Sequence, residues 1–170
     1  VKSLQRAFDY APGNFDVEPP WGWTEIGNVG YRSNITIQMA PVNEATAAAN
    51  GLTVPTFVDG ASPAGPITLR GASAAAIAAN PRASLSYNIY TLNPLQGITS
   101  QNGAHVICDG FTIRGAPNCT SLNTLSLGKM AIRNVWFGGV AEGLCNPIGA
   151  AGRSQVDIIG PIHLIGSGFG

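Results

Sequence analysis

Charged side chains are scarce in this chain: Lys, Arg, Asp and Glu make up 11% of its 170 residues, against about a quarter in an average soluble domain. Nine basic and nine acidic residues balance to a formal net charge of zero, which leaves no electrostatic footprint for nucleic acid or for an anionic membrane. No apolar run is long enough for a membrane-spanning helix. The start at Val1 shows no basic-then-apolar leader. The missing initiator Met and the ending "GSGFG" read as those of a piece of a longer chain. Two His and three Cys without ligand spacing predict neither a metal site nor another cofactor.

What is abundant is Gly (22), Pro (12) and apolar side chains, which at 45% are sufficient for one domain with a real core. They are arranged in a repeat. In "HVICDGFTIRG" (105 to 115), Val106 and Cys108 alternate with Ile107, and Phe111 and Ile113 alternate with Thr112. The step from Cys108 to Phe111 is three residues, so a sharp corner at Asp109-Gly110 is needed to keep all four on one side. "MAIRNVWFGG" (130 to 139) repeats the pattern, and "VDIIGPIHLIG" (156 to 166) repeats it with one extra residue at the proline.

The first apolar positions, Val106, Met130 and Val156, lie 24 and 26 residues apart. Short strands at that period, with no helical stripe between them, predict an all-β stack of coils at the parallel-strand spacing of about 4.8 Å. The expected inward ladders are Val106/Met130/Val156, Cys108/Ile132/Ile158, Phe111/Val135/Ile162 and Ile113/Phe137/Leu164. "ITIQM" (35 to 39) and "ITLRGA" (67 to 72), which echoes "FTIRGA" (111 to 116), are read as earlier, less regular coils, with a further rung through Leu85, Tyr87 and Ile89.

Residues 1 to 12 differ from the rest, because Val1, Leu4, Ala7, Phe8 and Ala11 share a helical face that Pro12-Gly13 ends. They are read as a short capping α-helix over the open end of the stack. Residues 13 to 34 form an irregular aromatic-rich loop, and residues 35 to 170 the coils. The Ala-rich stretches at 43 to 51 and 71 to 80 suit helical turns or small-residue loops equally.

The order helix "LQRAFDYA", then "NITIQMA", "GLTV", "GPITLRGA" and "GITSQNGAHVICDGFTIRG", followed by similar coils, resembles the right-handed parallel β-helix of pectin-lyase-like proteins. It is most similar to bacteriophage and prophage tail-fibre or tailspike proteins built on that scaffold. The resemblance implies a virion tail component made in the host bacterial cytoplasm, a homotrimer, contacts with other tail proteins and attachment to a bacterial surface glycan or receptor. It also leaves open a polysaccharide lyase or hydrolase on the same scaffold, or a purely architectural role.

Enzymes of that kind work with paired carboxylates or acidic calcium ligands. No two of the nine acidic residues here occupy matched rung positions. If the chain is an enzyme, Asp109 and Asp157 are the catalytic candidates; otherwise Asp109 is a turn-forming residue before Gly110 and Asp157 belongs to a solvated outward face. Thr112, Trp136 and His163 share one outward register beside Arg114, so Thr112 is expected to tolerate Asp. An outward Trp136 suits a sugar ring or a neighbouring subunit, unless a loop covers it; Trp21, Trp23 and Tyr31 are the other aromatic binding candidates. His163 reads as a surface histidine. Cys108 reads as a small core hydrophobe, and Cys119 and Cys145, 26 residues apart, could approach one another, although a reducing cytoplasm disfavours a bridge.

Overall fold

The computed structural model describes residues 36–39, 41, 43–46, 52–54, 67–91, 96–101, 104–115, 120–139 and 146–165. The helix expected at 1 to 12, the loop at 13 to 34, Trp21, Trp23, Tyr31, Cys119 and Cys145 lie outside the described residues.

The described chain is all-β apart from one short insertion, and its strands pair only in parallel. One sheet contains β1 (Thr36–Gln38), β4 (Ile67–Arg70), β7 (His105–Asp109), β10 (Lys129–Arg133) and β13 (Gln155–Ile158), in that spatial order. A second contains β2 (Asn43–Thr46), β5 (Asn88–Thr91), β8 (Thr112–Gly115), β11 (Val135–Gly139) and β14 (Ile162–Ile165). A third contains β3 (Leu52–Val54), β6 (Gln96–Gln101), β9 (Thr120–Leu125) and β12 (Asn146–Ala150). The chain therefore visits the three sheets in rotation, and each strand pairs with the one reached a full circuit later.

The registers are those of the apolar ladders. Met130 faces Val106 and Val156, and Ile132 faces Cys108 and Ile158. On the second sheet Val135 faces Ile162, and Phe137 lies between Ile113 and Leu164. The corners that separate the two sheets need unusual backbone, since Gly110 has φ 74° and Asn134, its counterpart one circuit on, has φ 54°. Gly tolerates that region freely and Asn better than most residues. A Cβ at Gly71 would sit 2.3 Å from the Gly110 carbonyl oxygen, so adjacent corners can stack only without one.

One cluster of side chains fills the space between the sheets: Ile67, Leu69, Val106, Cys108, Met130 and Ile132 from the first, Ile89, Ile113, Val135 and Phe137 from the second, and Ile98 and Leu122 from the third, with Phe111 at a corner. Burial pushes the Cys108 thiol well above its usual range, with the Asp109 charge adding to it.

The third sheet is absent from the sequence reading, and its composition explains why. Its buried residues include Ser100, Ser121 and Thr124, so no apolar alternation marks it. The hydroxyls are satisfied locally: Ser100 Oγ donates to the Ala104 carbonyl at 2.9 Å, and Thr124 Oγ1 donates to the Gly149 carbonyl at 3.3 Å.

Two expectations about the coils need correction, and one likeness proves not to be a pairing. "ITLR" pairs with "VICD", Ile67 opposite Val106 and Arg70 opposite Asp109, and not with the "FTIR" it echoes. Ile89 is a rung, opposite Ile113, and Tyr87 extends it, its carbonyl accepting from the Thr112 N–H and its ring packing against the core, but Leu85 belongs to a 3-10 helix, Pro81–Ser86. The ladder residues Ile158, Ile162 and Leu164 are exposed at 51%, 39% and 58%, although in register with buried ones. Among the described residues no strand lies beyond β13 and β14 to cover them.

The insertion between β4 and β5 begins with α1 (Ala74–Ala79), so the Ala-rich segment at 71 to 80 is helical. Ser73 caps it, accepting from the Ala76 N–H at 3.1 Å. Asn80 ends α1 and starts the 3-10 helix by accepting from the Arg82 N–H at 3.0 Å. The 3-10 helix then lies over the outer face of the second sheet, against β8 and β11.

Candidate functional site

The outer face of the second sheet carries the aromatic register. Alternation along β8, β11 and β14 turns Thr112, Trp136 and His163 away from the core, and parallel pairing sets Trp136 between the other two. The indole of Trp136 stacks on the His163 imidazole with ring centroids 4.2 Å apart and planes at 22°. Both residues are half-buried. Trp136 is thus less exposed than its outward position suggests, and His163 is an aromatic partner more than an isolated surface histidine.

Thr112 departs further from expectation. It is fully buried, because the 3-10 helix covers it and its hydroxyl donates to the Ser84 carbonyl at 3.1 Å. Asp in its place would bury a charge beneath that helix, so the tolerance expected from its outward register does not hold. The insertion closes one end of the aromatic column, and the other end, past His163, has no strand beside it among the described residues.

Arg114 runs alongside, where a Cβ at Gly138 would lie 3.5 Å from its Nη1. Arg114 is the register partner of Gly138, two residues along the strands from the Thr112–Trp136 pair. The indole N–H of Trp136 is buried, with no acceptor among the described residues. The accessible parts of the stacked rings can hold a polyhydroxylated ring by contact.

The acidic candidates lie on the outer face of the first sheet. Asp109 is 5% exposed. Its Oδ2 accepts from Arg133 Nη2 at 2.9 Å and from Arg70 Nε at 3.3 Å, and its Oδ1 from Asn134 Nδ2 at 3.1 Å. Register makes this cluster, since Arg70, Asp109 and Arg133 are direct partners on three successive strands. Asp109 is therefore more than a turn residue: it is a buried carboxylate clasped between two arginines, with both oxygens engaged. Sequence held the clue in the "R" of "ITLR" and of "AIRN", but the echo of "FTIR" in "ITLR" draws attention to a strand with which it does not pair.

Asp157 is exposed and accepts from Gln155 Nε2 at 2.8 Å. It shares a register with Ala131 and Ile107, two strands and two residues away from Asp109, a backbone separation of about 12 Å at ordinary strand spacings. The two carboxylates are not brought together as a pair. Near Asp157 are His105 and Lys129, direct partners on β7 and β10. Burial lowers the His105 pKa below the ordinary histidine value, the Lys129 charge lowers it further, and Asp157 partly opposes them. Among the described residues no group of three or more His, Cys, Asp or Glu is placed to hold a metal ion, and no helix is long and apolar enough to cross a membrane.

Comparison with known proteins finds no matching family model, no matching curated relative and no matching solved structure.

Proposed function

We propose that this chain is a length of right-handed parallel β-helix from a bacteriophage tail-fibre or tailspike-like protein, and that it attaches to a bacterial surface glycan without cleaving it. Support for the scaffold comes from the rotation of the chain through three parallel sheets in unbroken register. Each return to a sheet is a parallel crossover, and such crossovers are right-handed in about 98% of cases. The observation that carries the binding role is the Trp136–His163 stack on the outer face. Stacked aromatic faces held on a rigid sheet give a sugar ring contact area with little loss of side-chain entropy.

Cleavage has less support. Asp109 has both oxygens bound by Arg70, Arg133 and Asn134, and among the described residues of its sheet Asp157 has no second carboxylate at hydrolytic distance. A homotrimer, docked to other tail proteins in a virion, belongs to the same proposal: low charge favours side-by-side association, and threefold display multiplies weak sites into useful avidity.

The test is adsorption to bacterial envelope material by the purified chain and by Trp136→Ala and His163→Ala variants. Reduced adsorption with an unchanged far-ultraviolet circular dichroism spectrum is expected. Release of oligosaccharide that Asp109→Asn or Asp157→Asn abolishes would replace binding by hydrolysis or elimination.

A further inference from the structure

One corner of the stack carries an extra segment that the next two lack. Two residues, Gly110 and Phe111, separate Asp109 on β7 from Thr112 on β8, and two, Asn134 and Val135, separate their register partners Arg133 and Trp136. Seventeen separate Arg70 from Asn88, the partners of Asp109 and Thr112 in the circuit before. The rung itself uses only two of them. Gly71 N–H donates to the Asp109 carbonyl, and the Tyr87 carbonyl accepts from the Thr112 N–H just as the Phe111 carbonyl accepts from the Trp136 N–H. Gly71 and Tyr87 thus complete the corner, and the fifteen residues 72–86 are an addition to it. That addition is fastened with little apolar burial, since α1 buries no residue and the 3-10 helix buries only Ser84, a polar one. The Ser84 hydroxyl is sealed without a partner, and so, on the strand beside Thr112, is the indole N–H of Trp136. An unbonded buried donor is costly, so the contact that holds the segment down is also a weak one. Segments with few buried apolar contacts open well below the free energy of global unfolding.

We propose that residues 73–86 are a lid over a second, covered sugar subsite on the outer face of β8 and β11, where the Thr112 hydroxyl and the Trp136 indole N–H engage the oxygens of a polyhydroxylated ring once the lid lifts. The proposal rests on the glycan reading of the Trp136–His163 stack and extends that site toward β8. The 3-10 helix touches β11 as well as β8, so lifting it uncovers both strands. It also releases the Thr112 hydroxyl from the Ser84 carbonyl, to which it donates at 3.1 Å. The chemistry then matches a sugar: the indole N–H only donates, the freed hydroxyl donates and accepts, and a sugar ring offers oxygens of both kinds beside a C–H face that lies flat on an indole. Closure sets the affinity, because the apparent Kd is the intrinsic one divided by the fraction of open chains.

The first test needs no ligand. Ser84→Cys puts a thiol at a fully buried lid position, and Cys108, equally buried in the core, reports global unfolding in the same chain. With labelled sites located by peptide mass spectrometry, a thiol reagent is expected to modify position 84 about a hundredfold faster than Cys108. Equal rates would overturn the lid. The second test is adsorption to bacterial envelope material. Excising residues 72–86 leaves a corner as long as that between Asp109 and Thr112, and should tighten adsorption about tenfold or more, the reciprocal of an open fraction of about 10% or less. Thr112→Val in the excised chain should cancel most of that gain. In the full chain Ser84→Ala removes the orphaned hydroxyl, steadies the closed lid and should weaken adsorption about fivefold without lowering the thermal midpoint; this variant decides the matter if the excised chain does not fold. Wild-type adsorption that neither variant changes would overturn the subsite and leave the glycan reading standing. A wild-type chain that does not adsorb would overturn the glycan reading, and the subsite with it.

Discussion

Ile132 and Ile158 occupy the same ladder position on adjacent strands and face one another in parallel register. One is 0% exposed and the other 51%. The difference lies in their neighbours: Ile132 has a described strand on either side, Ile158 on one side only. In a stack of this kind, position in the repeat decides which way a side chain points, and the number of adjacent rungs decides whether it is buried. Each coil is too thin to enclose its own apolar face, so burial is a property of junctions.

Asp substitution tests this comparison with the largest expected effect. Ile132→Asp should prevent soluble folding, because an unpaired carboxylate in that cluster costs several kcal/mol at the least. Ile158→Asp should fold and shift the urea midpoint by under about 1 kcal/mol equivalent. Equal losses would mean that the last circuit is sealed in solution. Truncation repeats the contrast more gently, with Phe137→Ala costing about 3 to 5 kcal/mol by chemical denaturation and its ladder partner Leu164→Ala under about 1 kcal/mol.

The same division applies to the carboxylates. Asp109→Ala strands two arginines that now share its oxygens and should cost about 2 kcal/mol, a moderate value because both arginines are more than a third exposed. Asp157→Ala, on the last circuit, should change stability by no more than about 0.5 kcal/mol at pH 7.

Titration gives the smallest effects and links the two regions. The unfolded Cys108 thiol ionises near its ordinary value, while burial keeps the folded thiol neutral. Above about pH 8.5 the unfolded state therefore binds fewer protons, and stability falls as pH rises. Cys108→Ala should remove that slope from the pH dependence of the denaturation midpoint, whatever its effect at neutral pH. His105 has the opposite sense. Its folded pKa is lowered, chiefly by burial and then by Lys129, so on acidification through about pH 6.5 the unfolded state takes up protons first and stability drops. The drop levels off once the folded imidazole protonates too. Asp157 opposes the lowering, so Asp157→Asn on β13 should deepen an acid loss that originates on β7.

The two apolar ladders of each sheet pair were legible because their residues are large, uniform and spaced at a period of two around a glycine or asparagine corner. The third sheet was not, since Ser100, Ser121 and Thr124 fill its buried positions and hydroxyls satisfied by nearby carbonyls carry no hydrophobic period. Trp136 and His163 could be placed in one register from sequence, because corner spacing fixes phase within a repeat. The Asp109 clasp could not, because an early coil with a long insertion loses that phase, and "ITLR" matches two later strands almost equally well.

By itself, then, the sequence determined the strand period, the corners and the parallel order of the regular coils, since local backbone preference and side-chain alternation suffice for these. Tertiary structure alone decided which of the equivalent positions are buried. Thr112 points outward and is sealed because a 3-10 helix from an earlier circuit crosses it, while Leu164 points inward and is open because no described strand follows. Direction is a local property of the chain, set by dihedral angles residue by residue, whereas burial depends on what distant segments bring to the other side.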